Sequence, residues 1–273
     1  MAVRQLAARA LEKVWGRTDV PTFFGHGSGF DGRIGEIWFE EPQDSSLLVK
    51  YLFTSQKLSI QVHPSDDQAR ATGHSRGKDE AWYVLSAEHD AVIGAGFSSE
   101  LNEEDLGAAA LDGSIDALMT WHSVKPGDFF YVPAGTVHAI GAGLSVLEMQ
   151  QNVDLTYRLF DYGRPRELQL EEGLAASRPG PIVRKPARAV NSYRDVLSEG
   201  MKIVIERLRG RSVQEIHADA DAPTWLMPVT AGCANEREDM PAGTVWLADT
   251  PTRIRLGPDD CLLAAYAGDK ARL

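Results

Sequence analysis

The feature that most constrains this chain is its punctuation. Short runs rich in Val, Ile, Leu, Phe, Tyr and Trp recur along it, each stopped after a few residues by Gly, Pro or Asp. Such runs stand at 34–39, 47–53, 58–63, 80–85, 91–94, 128–132, 138–140 and 145–150, and again at 202–208, 212–216, 224–229, 244–247, 252–256 and 261–267. A strand this short buries nothing by itself and must pair laterally, and close turns between successive strands favour antiparallel sandwiches or small barrels. Two stretches break the pattern. Residues 102–119 open with Asn102 followed by Glu103, Glu104 and Asp105, the cap and acidic first turn that a helix N-terminus favours, and 168–177 reads the same way. The spacing of Val3, Leu6, Ala7, Ala10, Leu11 and Val14 also fits a helical period over 3–14. Pro179, Pro181 and Pro186, among Arg178, Arg184, Lys185 and Arg188, predict a semi-rigid linker over 179–190. The expectation is a mainly β protein of two domains, 1–178 with a small helical insertion near 102–119, and a smaller 191–273.

Composition narrows the partners. The 28 basic and 39 acidic residues leave a net charge of −11, without any run of Lys and Arg, which excludes nucleic acid and anionic membrane as expected partners. No apolar run approaches the roughly 20 residues of a membrane span, and the first 16 residues have no apolar signal core, so a cytoplasmic location is expected. Cys233 and Cys261 are too few for a disulfide framework or a thiolate metal site and read as small core residues. A small-molecule ligand remains, in a monomer or a homodimer.

In Leu58-Ser59-Ile60-Gln61-Val62-His63-Pro64, strand alternation places Ser59, Gln61 and His63 on one face, so that an amide oxygen and an imidazole two residues apart can share a divalent metal. Further along, Gly127, Pro133, Gly135 and His138 have the spacing Gly-x5-Pro-x-Gly-x2-His. Pro133 fixes φ and Gly135 permits a tight turn, which aims His138 back into the layer between strands. This segment resembles the second cupin motif, and the resemblance implies two cupin-like β-barrel (jelly-roll) domains.

A wider resemblance rests on Leu58 to Pro64, on Gly77-Lys78-Asp79-Glu80-Ala81-Trp82-Tyr83, on Gly127 to His138 and on Asp154-Leu155-Thr156-Tyr157-Arg158, in that order. These are similar to the signatures of the type I mannose-6-phosphate isomerase family, its short bacterial members above all. The likeness runs from about Glu12 to Arg166 and fades beyond Arg184. It implies one metal per chain, usually zinc, held by Gln61, His63, Glu80 and His138. It implies catalytic roles for Lys50, Lys78, Glu148 and Arg158, and substrate contacts from Ser59, Lys78, Asp154 and Arg158. The implied reaction interconverts mannose 6-phosphate and fructose 6-phosphate through an enediol, with Glu148 the first choice of base and Lys78 the alternative. Another metal-cupin sugar-phosphate isomerase and a non-catalytic sugar-binding bicupin are the rival readings. Lys57, where the family often has proline, and Val153, where it often has serine, depart from the pattern. The C-terminal domain, with His217 as its sole histidine, is expected to be a metal-free, degenerate cupin. His26, His74, His89 and His122 are expected at the surface.

Overall fold

The structure is a computed structural model and describes residues 3–20, 32–39 and 45–272. His26 lies outside them. Two compact units are formed, one by Met1–Leu11, Thr18–Lys50 and Lys185–Leu273, the other by Glu12–Arg17 and Tyr51–Arg184. The strand Leu47–Thr54 passes from the first to the second between Lys50 and Tyr51. As the strand spacing predicts, the described residues are mainly β, arranged in four antiparallel sheets.

In the second unit one sheet has the order Tyr157–Phe160, Ile60–Val62, His138–Ile140, Val92–Phe97, Met119–Ser123. The other has Glu80–Ala87 between Leu144–Gln151 and Phe129–Val132. Between them lies a core of Trp82, Val84, Phe130, Val132 and Val146 from one sheet and Ile93 and Ile140 from the other. The opposite face of the first sheet carries Ile60, Val62, Ala139, Tyr157 and Leu159, which are covered by Leu106, Ala109, Ala110, Ile115 and Ala176. Those last residues belong to the helices Glu103–Asp112, Ile115–Leu118 and Leu170–Ala176, the helical segments expected from their caps and acidic first turns. Gly113, in the left-handed conformation at φ 84°, ends the first of them. The layers are therefore helix, sheet, core, sheet.

The first unit holds a seven-stranded sheet, Val3–Gln5, Trp246–Ala248, Thr224–Pro228, Cys261–Ala267, Ile203–Arg209, Arg194–Ser198, Arg188–Asn191, and a four-stranded one. The helix expected over 3–14 is absent. Val3–Gln5 and Ala8–Arg17 are strands, with Val3 opposite Ala248 and Val14 60% exposed. A helical period in six apolar residues is a weak preference, and ladder pairing, of Val3–Gln5 with Trp246–Ala248 and of Ala8–Arg17 with Ile34–Phe39, outweighs it. Parts of the proline-rich stretch and its flanks are hydrogen-bonded to other elements. Phe97 N donates to Gly180 O, Leu101 N to Pro179 O and Arg178 N to Gly135 O, while Arg188–Asn191 is a strand. Cys233 is buried, Cys261 partly so, and both are free thiols.

Candidate metal centre

Alternation along five strands sets which side chains enter the layer between the two sheets of the second unit. On Ile60–Val62 the apolar neighbours point to the helices, so Gln61 points inward. His138 stands opposite Gln61 and alternates with Ala139 in the same way. Arg158, also opposite Gln61, lies between Tyr157 and Leu159, both on the helix side. From the facing sheet, Glu80 shares a side with Trp82 and Val84, and Glu148 and Gln150 stand opposite Trp82 and Glu80. Backbone bonds lock the remaining pieces: Lys78 N donates to Pro64 O and Gly135 N to His63 O.

His63, Glu80 and His138 converge, their ligand atoms all within 4.8 Å of one another. His63 Nε2 is 3.2 Å from Glu80 Oε2, and His138 Nε2 is 3.1 Å from Glu80 Oε1; each of the three side chains is 1% exposed. The tautomers are fixed from behind. His63 Nδ1 donates to Leu155 O at 3.0 Å and His138 Nδ1 to Thr136 O at 2.9 Å. A carbonyl can only accept, so both Nε2 atoms turn lone pairs toward the carboxylate. Burial and the nearby Lys78 charge push His63 down to about 3, and burial lowers His138 as well, so the rings stay neutral. Burial alone would raise Glu80, but the Lys78 charge leads the opposing interactions, and the carboxyl is held well below the usual range.

Two lone pairs facing an anion repel unless a cation joins them. Neither oxygen of Glu80 accepts a hydrogen bond of regular geometry among the described residues; the Lys78 ammonium, 3.0 Å from Glu80 Oε2 and 3.1 Å from His63 Nε2, is drawn into the gap as an ion-pair partner. Two neutral imidazoles held by carbonyls and one carboxylate form a donor set that fits a divalent cation. Gln61 Nε2 lies 3.2 Å from His138 Nε2, while Ser59 Oγ donates to Gln61 Oε1 at 3.1 Å.

Glu148 is buried, and its Oε2 accepts Trp82 Nε1 at 3.1 Å; Trp82 in turn stands edge-on to His138, with ring centroids 5.3 Å apart. Arg158 is half-buried, with its Nε unpartnered among the described residues. Lys50, in the first unit, is buried with its ammonium 4.4 Å from the centroid of the Trp38 ring. Asp154 is exposed. Lys57 ion-pairs with Asp116 at 3.0 Å and lies over Trp121, which fastens the short helix Ile115–Leu118. Sequence reading passed over Gln150, fully buried beside Glu80 with an unpartnered Oε1, although its alternation with Glu148 marks it. It also passed over the carbonyls of Leu155 and Thr136, which no side-chain signal can reveal.

No protein-family model matches the chain. Among curated proteins it is similar to the mannose-6-phosphate isomerase ManA of Bacillus subtilis, 47% identical over 135 residues, which is 47% of this chain and 42% of the relative. The mannose-6-phosphate isomerase of Streptococcus mutans is 41% identical over 153 residues, covering 54% of this chain and 47% of that one. The probable mannose-6-phosphate isomerase GmuF of Bacillus subtilis is 38% identical over 176 residues, 62% and 51% of the two chains. The chain thus spans about half the length of the curated relatives it matches. Its fold is that of the solved mannose 6-phosphate isomerase from Bacillus subtilis, with a TM-score of 0.82 at 24% identity over 97% of this chain and 99% of the other. A phosphomannose isomerase variant from Salmonella typhimurium gives 0.76 at 14% identity, over 98% and 100%.

Proposed function

We infer that this chain, a short type I mannose-6-phosphate isomerase by its sequence likeness and its fold, interconverts mannose 6-phosphate and fructose 6-phosphate through an enediol. The observation that carries the reading is the convergence of two carbonyl-fixed imidazoles on a donor-poor buried carboxylate, in a layer that also holds Lys78, Glu148 and Arg158.

The metal in this reading is zinc, which His63, Glu80, His138 and Gln61 would hold and which, when bound, would supply a Lewis acid for the substrate's carbonyl. Ser59 can accept as well as donate, so it can support the Gln61 amide turned about, with Oε1 toward the imidazoles. Isomerisation needs a proton moved between adjacent carbons. Glu148, steadied by Trp82, removes it from C2 of the aldose and returns it to C1 of the enediol. Lys78 stabilises the enediolate oxygen, Arg158 grips the phosphate, and Ser59 and Asp154 take sugar hydroxyls. A net charge of −11 repels a dianionic substrate, so these cations must act locally. Residues 191–273 act as a metal-free, cupin-like domain, and the enzyme works in the cytoplasm on a small sugar phosphate. A coupled assay of fructose 6-phosphate formed from mannose 6-phosphate, with and without chelator, tests this. Activity lost on chelation and regained with zinc is expected; an inert, fully metal-loaded protein overturns the reading.

A further inference from the structure

We propose that Asp79 is a positioning residue of the metal centre: its carboxylate ties the strand bearing Glu80 to the turn that aims His138, and so fixes the distance between two ligands. The proposal rests on the metal reading above. Asp79 neighbours Glu80, whose side chain points into the layer between the sheets, and has its own side chain buried on other partners. Its Oδ2 accepts the Tyr131 hydroxyl at 2.7 Å and its Oδ1 accepts Ala134 N at 3.0 Å. Ala134 sits in the turn Pro133–Thr136, closed by Thr136 N donating to Pro133 O. From that turn Gly135 N reaches His63 O, and Thr136 O receives His138 Nδ1.

The mechanical path is short: Asp79 carboxylate, Ala134 amide, Thr136 carbonyl, His138 ring. The backbone of Asp79 is pinned as well. Its N–H donates to Gln151 Oε1 at 2.9 Å and its carbonyl accepts Gln151 N at 3.0 Å, while Gln151 Nε2 and Gly77 N both donate to Asp66 Oδ1. The three ligand-bearing segments are thus laced pairwise. Lys78 to Pro64 joins the Glu80 and His63 segments, Gly135 to His63 joins those of His138 and His63, and Asp79 to Ala134 joins those of Glu80 and His138. Of these three, only the third is made by a side chain and can be cut by substitution; the Gly77 N–Asp66 Oδ1 bond is a further side-chain tie between the Glu80 and His63 segments, and the pairing of Glu80 with Val132 a further backbone tie toward the turn. Partners one step behind metal ligands typically govern affinity by about 10- to 100-fold, and Asp79 acts through one of them, the Thr136 carbonyl on His138.

The test is cobalt(II) binding to the chelator-stripped full chain, read by the visible ligand-field spectrum and by competition with a chromophoric chelator. Asp79→Ala should weaken the affinity about 10- to 100-fold and alter the band positions. Asp79→Asn, which keeps an acceptor for Ala134 N, should come within about threefold of the parent, and Tyr131→Phe, which leaves that bond intact, should match it. If Asp79→Ala is insoluble, Asp79→Ser, whose hydroxyl is too short for Ala134, is judged by the same two readings. Parent-like affinity and spectrum in the truncated variant, with only thermal stability lowered, would overturn the positioning role. Absence of cobalt binding by the parent, or binding undisturbed in His63→Ala, would instead refute the metal reading.

Discussion

Lys78→Met isolates the electrostatics of the centre, because methionine keeps an unbranched apolar stem and deletes the charge. The ammonium it removes is 3.0 Å from Glu80 Oε2 and 3.1 Å from His63 Nε2, and both Lys78 and Glu80 are nearly inaccessible. In metal-free protein its loss strands a buried carboxylate opposite two lone pairs, and breaking a buried pair from one side costs about 3–5 kcal/mol. A dication on the same donors replaces the missing charge, so the loaded protein avoids most of that cost and sheds a cation–cation repulsion too. By the thermodynamic cycle the difference must appear as tighter metal binding. If only a third of the penalty is relieved, about 1.4 kcal/mol, Kd falls about tenfold. Urea unfolding in chelator should therefore show a loss of about 3 kcal/mol or more, while chelator competition shows affinity raised about tenfold or more and isomerase activity is lost. Weaker metal binding than the parent, with equal destabilisation in loaded and stripped protein, would refute the reasoning.

Glu148→Gln keeps an acceptor for Trp82 Nε1 and should retain the metal, yet lose about 10²-fold in kcat together with deuterium uptake at C2 of mannose 6-phosphate. Near-normal exchange would move the proton transfer to Lys78. Arg158→Ala should lower kcat/KM for mannose 6-phosphate by about 10- to 100-fold and that for unphosphorylated mannose far less. Equal losses would put Arg158 at the carbonyl end. Metal-free protein should weaken in mild acid: the unfolded chain binds a proton at His63 near pH 6.5, whereas the folded chain refuses it until about pH 3. Stability is thus whole above pH 6.5 and falls as pH drops toward 3, by about 2 kcal/mol at pH 5 from this ring, and His138 acts in the same direction. A urea midpoint unchanged between pH 7 and pH 5 in chelator would contradict this.

The strand layout was legible because each strand carries its own stop signals. The segments 34–39, 138–140, 212–216, 252–256 and 261–267 fall on strands with those same bounds. Longer-range preferences were not legible. The apolar residues of 3–14 are compatible with either period, and the partners that decide between them are not local: Trp246–Ala248 for Val3–Gln5 and Ile34–Phe39 for Ala8–Arg17. Arg194–Ser198 escaped notice since its two charges, Arg194 and Asp195, mask a strand whose residues are all buried. Those charges are satisfied inside the fold, Arg194 by Glu206 and Asp195 by Arg207, and a pairing of that kind leaves no local trace.

The candidate centre divides along the same line. Gln61 and His63 could be placed on one face because strand alternation is a local rule, and His138 was aimed by the Pro133–Gly135 turn before it; in the structure their neighbours Ile60, Val62 and Ala139 line the opposite, helix-covered face. What makes the face chemically competent is not local. The lone pairs of His63 and His138 are turned inward by the carbonyls of Leu155 and Thr136, one of them 92 residues from the ring it orients. Lys78 enters the gap because Lys78 N is bonded to Pro64 O, which sets two segments of different strands at one depth. Sequence names the donors, then, but backbone geometry decides their protonation, and protonation decides whether three buried polar groups repel one another or hold a cation. Asp79 belongs to that second tier: it occupies the signature yet acts through the turn at Ala134, which is why the family resemblance could mark its neighbour Glu80 and leave it unread.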